Sequence, residues 1–386
     1  MNNTFKLAAV SSAALMLAAA PALADGHPTL KVGGYFDQKM SIADNNDDIG
    51  GAGIGADDKL DVRTDTEVYF LGSAKLDNGI KISTRVELEG FTNDTTGDAG
   101  SLVDGGGAQF DQIDEAFMVI SGSFGAIKIG SSDSAPKGMT TGLQGLWAAN
   151  QGENVTFNLD KLLSRGQGVT IRGHASQMDL SSDAEQISYT TPNMSGFQAA
   201  VSYAPNSRES FDGFETTDSV IDSNIFSASA KYAGKAGDIS YRFGGGYTTS
   251  EEGAVTKEDD QQWMVGAAIS SGPYQISASF SKREEAKTGA VTTVDESDTI
   301  EVGFKMSMGA STYSVAYTNT EASASDDAAV DGDNASVYVA AMRRSLGKGV
   351  KWHNTLYYID SENGGTTLAV EGNDGFAFTT GIQVKF

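Results

Sequence analysis

Phe376-Ala377-Phe378-Thr379-Thr380-Gly381-Ile382-Gln383-Val384-Lys385-Phe386 closes the chain, and its side chains alternate between two kinds. Phe376, Phe378, Thr380, Ile382, Val384 and Phe386 fall on one face; Ala377, Thr379, Gly381, Gln383 and Lys385 fall on the other. A period of two is the mark of a β-strand with one apolar and one polar side. The same pattern sets Ile300, Val302, Phe304, Met306 and Met308 against Glu301, Gly303, Lys305 and Ser307. It also sets Ile80, Ile82, Thr84, Val86 and Leu88 against Lys81, Ser83, Arg85, Glu87 and Glu89.

Alternation alone does not choose between a soluble sandwich and a membrane barrel, because either buries one face of each strand. The connections choose. Seven short turns stand at Asp77-Asn78-Gly79, Gly122 to Gly125, Pro192 to Gly196, Ala233 to Gly237, Ser271 to Pro273, Ser307 to Ala310 and Leu346 to Gly349. Eight longer polar stretches lie near 42–59, 91–109, 131–184, 205–223, 250–260, 284–297, 321–334 and 360–374. Strict alternation of tight turns and long loops is the signature of a transmembrane barrel with its turns on one side of the bilayer and its loops on the other. The expected fold is therefore all-β: an antiparallel transmembrane barrel of about sixteen strands. The stretch 131–184 is exceptionally long for a loop. It is also too apolar for a solvated tail, with Leu143, Leu146, Trp147, Val155, Phe157 and Leu159, so it is expected to fold inward against the wall.

The composition agrees. Lys6, the apolar run from Leu7 to Ala20 and the small residues Ala22 to Ala24 form a three-part secretory leader, giving 1–24 as signal peptide and 25–386 as barrel. After Ala24 no stretch has the eighteen or so apolar residues that a spanning helix needs, so a membrane chain of this kind must close a barrel to satisfy its backbone. Cysteine is absent, which excludes disulfides and thiolate metal sites. Six prolines in 386 residues suit a chain of paired strands. The net charge of −24, one unit more negative once Lys6 leaves with the leader, disfavours nucleic acid, whose phosphates call for clustered Lys and Arg.

Several stretches together resemble the general diffusion porins of Gram-negative bacteria, particularly the alphaproteobacterial kind. They are Leu30-Lys31-Val32-Gly33-Gly34-Tyr35-Phe36, Asp114-Glu115-Ala116-Phe117 through Gly122-Ser123-Phe124-Gly125-Ala126-Ile127-Lys128-Ile129-Gly130, Ile187 to Pro192 with Gly196-Phe197 and Val201 to Ala204, and the terminal Phe386. The resemblance implies a sixteen-stranded homotrimer in the outer membrane, in contact with its lipid. It implies a water-filled channel for ions and small hydrophilic solutes whose third loop folds into the lumen and narrows it. The stretch 131–184 is the third long connection in the count made from the turns.

Passive permeation needs no nucleophile and no cofactor, only a hydrated path and a field across its narrowest point. The chain is accordingly read as a channel and not an enzyme. Parity assigns the lumen face: Lys31, Tyr35 and Lys39 on the first strand, Arg63, Asp65, Glu67 and Lys75 on the second, Lys81 and Arg85 on the third, Arg242 on the ninth. The basic pore-lining set is Arg63, Lys81, Arg85 and Arg242, and the acids facing it from the long loop are Asp133, Glu153 and Asp160. Opposed charges across a constriction would orient dipolar solutes; the plainer alternative pairs Arg63 and Arg85 with wall carboxylates such as Glu67 and Glu87. The aromatics Tyr241, Tyr247, Tyr274, Tyr313, Tyr317, Tyr357, Tyr358, Trp263 and Trp352 are expected near the bilayer interfaces.

No metal site is expected. Asp44 to Asp48 and Asp326 to Asp333 carry the oxygen ligands that a loop Ca²⁺ would take, but without EF-hand spacing, and solvated loop acids explain them as well. His27, His174 and His353 are scattered, and Gly244-Gly245-Gly246 lacks the following helix of a phosphate loop. Three other readings remain at this stage: a substrate-specific channel of the same build, a barrel enzyme such as a surface hydrolase, which would need Ser, His and an acid brought together, and a secreted soluble all-β binding or surface protein. The loop acids argue for mild cation preference, although charges far from the constriction are screened within about 8–10 Å.

Overall fold

The computed structural model describes residues 28–45, 60–90, 113–145, 178, 180–181, 183–207, 223–251, 259–284, 296–323, 332–362 and 372–386. Residues 1–24, expected from the sequence to be a leader, lie outside them. In chain order the elements are β1 (Thr29–Asn45), β2 (Leu60–Lys75), β3 (Lys81–Gly90), β4 (Ile113–Gly122), β5 (Gly125–Ser131) and a short helix α1 (Ala135–Thr140). They continue with β6 (Glu185–Thr190), β7 (Phe197–Asn206), β8 (Ser223–Ala236), β9 (Ile239–Glu251), β10 (Asp260–Ser271) and β11 (Tyr274–Glu284). The last are β12 (Glu296–Met308), β13 (Ser311–Ser323), β14 (Asn334–Gly347), β15 (Val350–Glu362) and β16 (Gly372–Lys385). No helix among the described residues is long and apolar enough to cross a membrane.

Each strand pairs antiparallel with its sequence neighbours, and β1 pairs with β16, so sixteen strands close one barrel without a free edge. Closure is what lets a sheet live in hydrocarbon, where an unpaired backbone group has no water to turn to. All seven short connections fall where the Gly- and Asn-rich turns stand in the sequence. At the first of them Gly79 adopts φ +84, which only glycine takes without strain, and Asn78 Oδ1 accepts a hydrogen bond from Ile80 N at 3.1 Å.

Parity sorts the two faces as expected. Leu30, Val32, Met40, Phe243, Val265, Ile276, Val315 and Ile382 all point outward and are exposed. A large apolar exterior on a closed barrel is the surface that lipid tails solvate. Tyr317, Tyr338, Tyr358 and Phe376 sit directly opposite one another on β13 to β16, with ring centroids 4.9, 6.0 and 4.6 Å apart. This ladder lies toward the loop ends. Toward the turns, Tyr232 packs on Tyr241 and Phe243, and Tyr274 stacks on Phe304. These are two bands of the kind that mark the bilayer interfaces. Tyr357 departs from the expectation: its neighbour Tyr358 faces out, so the pleat turns Tyr357 inward, where it is fully buried beside Val337, Val339 and Ile359.

Candidate functional site

The inward face carries mostly Ser, Thr, Gln and charged side chains, and the predicted basic residues lie on it. Arg63 stands opposite Lys39 in the β1–β2 register, Lys81 lies at the turn end of β3, Arg85 lies two residues further in than Ser83, and Arg242 projects from β9. Of the predicted acids, Asp133 is described and follows β5; Glu153 and Asp160 lie outside the described residues. Of the two acidic runs considered for Ca²⁺, only Asp44, Asn45, Gly332 and Asp333 are described.

The residues on the β1–β4 wall are joined. Lys39 Nζ lies 3.0 Å from Asp65 Oδ2 and 3.9 Å from Asp37 Oδ2. The Tyr35 hydroxyl is within donating distance of both Asp65 Oδ1, at 2.7 Å, and Glu67 Oε1, at 2.6 Å, while the Tyr69 hydroxyl donates to Glu67 Oε2. Arg85 pairs with Glu87 and, through Nε at 3.4 Å, with Glu115, and its guanidinium lies 4.3 Å from the centre of the Tyr69 ring. The plainer alternative for Arg85, pairing with a wall carboxylate, is therefore what the geometry contains. The chain of groups also runs the other way, across the closure of the barrel. Buried His353 on β15 reaches over β16 to buried Asp37 on β1, Nε2 to Oδ1 2.8 Å, and Gln383 Nε2 lies 3.4 Å from Asp37 Oδ2. Gly381 makes this reach feasible, because a Cβ there would stand 2.5 Å from His353 Cε1.

A second group of contacts fixes the start of the long third connection. Pro136 stands in the first turn of α1, a position where its missing N–H costs nothing. The cap residue Ser134 does not bond its own helix; its hydroxyl donates to Met178 O at 2.8 Å, tying the two ends of the connection together. Ala135 N donates to Ser202 Oγ on the inward face of β7, Arg242 Nη2 donates to Gly142 O at 3.2 Å, and Gly145 N donates to Ser279 Oγ at 3.4 Å. Leu143, 1% exposed, sits over Gly266, and Pro136 and Met178 sit over Gly246. Side chains at those two glycines would fill the space the connection occupies. Residues 132–145 thus run along the lumen side of the wall from β6 to β12.

Asp133 ends up against the β4–β5 wall. Lys137 pairs with it one helical turn on, Lys128 Nζ donates to its carbonyl at 2.8 Å, and its carboxylate lies within 4.8 Å of those of Glu115 and Asp183. It therefore joins the Arg85 cluster. Sequence parity did not single out Glu115, Tyr69 or the basic residues Lys231, Lys305, Arg343 and Lys351, all inward on the described strands. The signal for the last four was present in their spacing from the turns.

A closed sixteen-strand barrel with an apolar exterior and a charged, hydroxyl-rich lumen can pass hydrated solutes. The family model for Gram-negative porins matches residues 11–364. The chain belongs to the Gram-negative porin family. The porin is also similar in fold to the anion-selective porin from Comamonas acidovorans, with TM-score 0.59 and 18% identity over 93% of this chain and 100% of that one. The trimer form of OmpT from Vibrio cholerae gives TM-score 0.59 and 10% identity over 94% of this chain and 100% of that one. A mutant of the Rh. blastica porin gives TM-score 0.51 and 14% identity over 93% and 100%. No curated protein sequence matches the chain. As a porin of this family with this barrel, the protein forms an outer-membrane channel for passive diffusion of ions and small hydrophilic solutes.

Proposed function

We propose that the mature porin, released from its leader after Ala24, works as a homotrimer whose lumen is narrowed by the connection 131–184. The observation that carries this is the docking of residues 132–145 on the inward faces of β7 to β12, through Ser202, Arg242 and Ser279. Residues docked there on the lumen side take up part of the cross-section of the pore. Arg63, Lys81 and Arg85 on the wall, with Glu153 and Asp160 on the connection, then set the field that solutes meet; Asp133 lies on the Arg85 wall itself, and the pairing of Arg85 with Glu87 and Glu115 moderates the share of that arginine. The trimer form of OmpT, the structurally similar outer membrane protein of Vibrio cholerae, supports the assembly.

Reconstitution into a planar bilayer tests this reading. Conductance should appear in steps of three equal levels and rise nearly in proportion to salt, as it does for a hydrated path without a saturable site. Single-level steps would refute the trimer. Saturation by one solute at submillimolar concentration would replace general diffusion with a substrate-specific channel.

A further inference from the structure

Glu251, Asp260, Glu284, Glu296, Glu321 and Glu362 stand at the loop ends of their strands, and the turn-side half of the wall has the opposite character. Lys231 on β8, Arg242 on β9, Lys305 on β12, Arg343 on β14, Lys351 on β15 and Lys385 on β16 all carry the parity of the lumen face. The register places them in diagonal neighbour positions. Lys231 stands opposite Gly244, two residues from Arg242; Arg343 stands opposite His353, two residues from Lys351; Lys351 stands opposite Gln383, two residues from Lys385. Lys305 and Arg343 flank β13 with only Ser314 and Thr312 between them. Adjacent strands are about 4.8 Å apart and two residues of β13 rise about 6.7 Å, so these two stems stand about 12 Å from each other, a gap that long basic side chains narrow from both sides.

Along the arc each is in electrostatic reach of the next: Lys231 of Arg242, Lys305 of Arg242 and Arg343, and Lys351 of Arg343 and Lys385. Among the described residues none of them has a carboxylate partner. The nearest acids are Asp238, in the turn at the rim, Glu301, further up β12 and held by Ser279 Oγ at 3.2 Å, and, at the Lys385 end of the arc alone, the Phe386 carboxylate and Asp37 of β1, which His353 and Gln383 hold. This contrasts with Lys39 and Arg85 on the other wall, which are paired. Cations gathered without counter-charges, and half-buried as Lys305 and Arg343 are, repel one another unless an anion joins them. Thr312 adds a hydroxyl beneath, and a guanidinium binds two oxygens of one anion at once.

We propose that this arc, centred on Lys305 and Arg343, is a binding site on the turn side of the lumen for small oxyanions carrying two or more negative charges. The proposal rests on the channel reading above and deepens it. It makes the pore polar along its axis, acidic toward the loops and basic toward the turns, so a polyanion should enter and dwell from the turn side.

The test is block of single-channel current by inorganic pyrophosphate added to one chamber at a time. Ser121→Cys, the single thiol of an otherwise cysteine-free chain, lies on the lumen face of β4 near a turn, so a bulky thiol reagent lowers its conductance faster from the turn-side chamber and identifies that side. Half-block is expected at about tenfold lower pyrophosphate from the turn side. Lys305→Gln combined with Arg343→Gln should raise that concentration about tenfold in a trimer that still assembles and conducts, while Arg343→Lys keeps most of the block. If the double variant fails to assemble, Lys305→Gln alone carries the test with about a threefold change expected. Equal block from both chambers, or block unchanged in the neutralised variants, overturns the site. A protein that never conducts would instead overturn the channel reading itself.

Discussion

Substituting Gly381 by alanine should open the seam where the barrel closes. A Cβ at 381 would lie 2.5 Å from His353 Cε1, 2.7 Å from its Nε2 and 2.9 Å from Gln38 O, so the imidazole must leave its place over β16. Its partner Asp37 is fully buried. Losing one member of a buried pair costs about 3–5 kcal/mol. Lys39 at 3.9 Å and Gln383 at 3.4 Å remain, which puts the loss near the lower end, about 3 kcal/mol. The shift forced on the Gln38 carbonyl adds about 1 kcal/mol, the low end of the overpacking range. At a urea dependence of about 3 kcal/mol per molar, the unfolding midpoint in lipid vesicles falls by about 1.3 M. The decisive measurement is a double-mutant cycle. His353→Ala alone should cost about 3 kcal/mol; with the ring gone, Gly381→Ala meets only Gln38 O, so the double variant should cost about 4 kcal/mol and not the sum of about 7. Additive costs would show that Gly381 and His353 act independently and would refute the idea that glycine is there to let the histidine cross.

Other parts of the molecule respond in distinguishable ways. Leu143→Asp, at a side chain pressed onto Gly266, should release residues 132–145 from the wall and change single-channel conductance by at least about 1.5-fold without loss of the barrel; unaltered conductance would separate the connection from the constriction. Val315→Arg, on the exposed outer face of β13, should cost about 2–4 kcal/mol in refolding into vesicles, whereas Thr318→Arg, of opposite parity, should refold close to the parent and show its effect in conductance. Arg85→Ala leaves Glu87 and Glu115 without their shared cation, so the reversal potential in a salt gradient should move toward cation preference; movement the other way would mean that these carboxylates take up protons when the arginine is gone.

The difference between what could and could not be read in advance follows from what parity encodes. A period of two tells which side of the wall a residue faces, so Arg63, Lys81, Arg85 and Arg242 could be placed on the lumen from sequence, and so could the lipid stripe through Phe376 and Ile382. It says nothing about which inward residues meet. Arg85 finds Glu115 only through the register of β3 against β4, which a connection of more than twenty residues leaves unspecified, and His353 finds Asp37 only because the first and last strands pair. Depth is the missing coordinate, yet part of it is encoded. Every short turn lies at the same end of the barrel, so a residue's offset from its nearest turn measures its height on the wall. On that measure Lys231, Arg242, Lys305, Arg343 and Lys351 all fall within six residues of a turn, while the acids of β10 to β15 cluster at the opposite strand ends. A face taken from parity and a height taken from turn offset together locate an axial charge gradient that the net charge of −24 conceals. That gradient, and not the sum, is what a permeating ion meets.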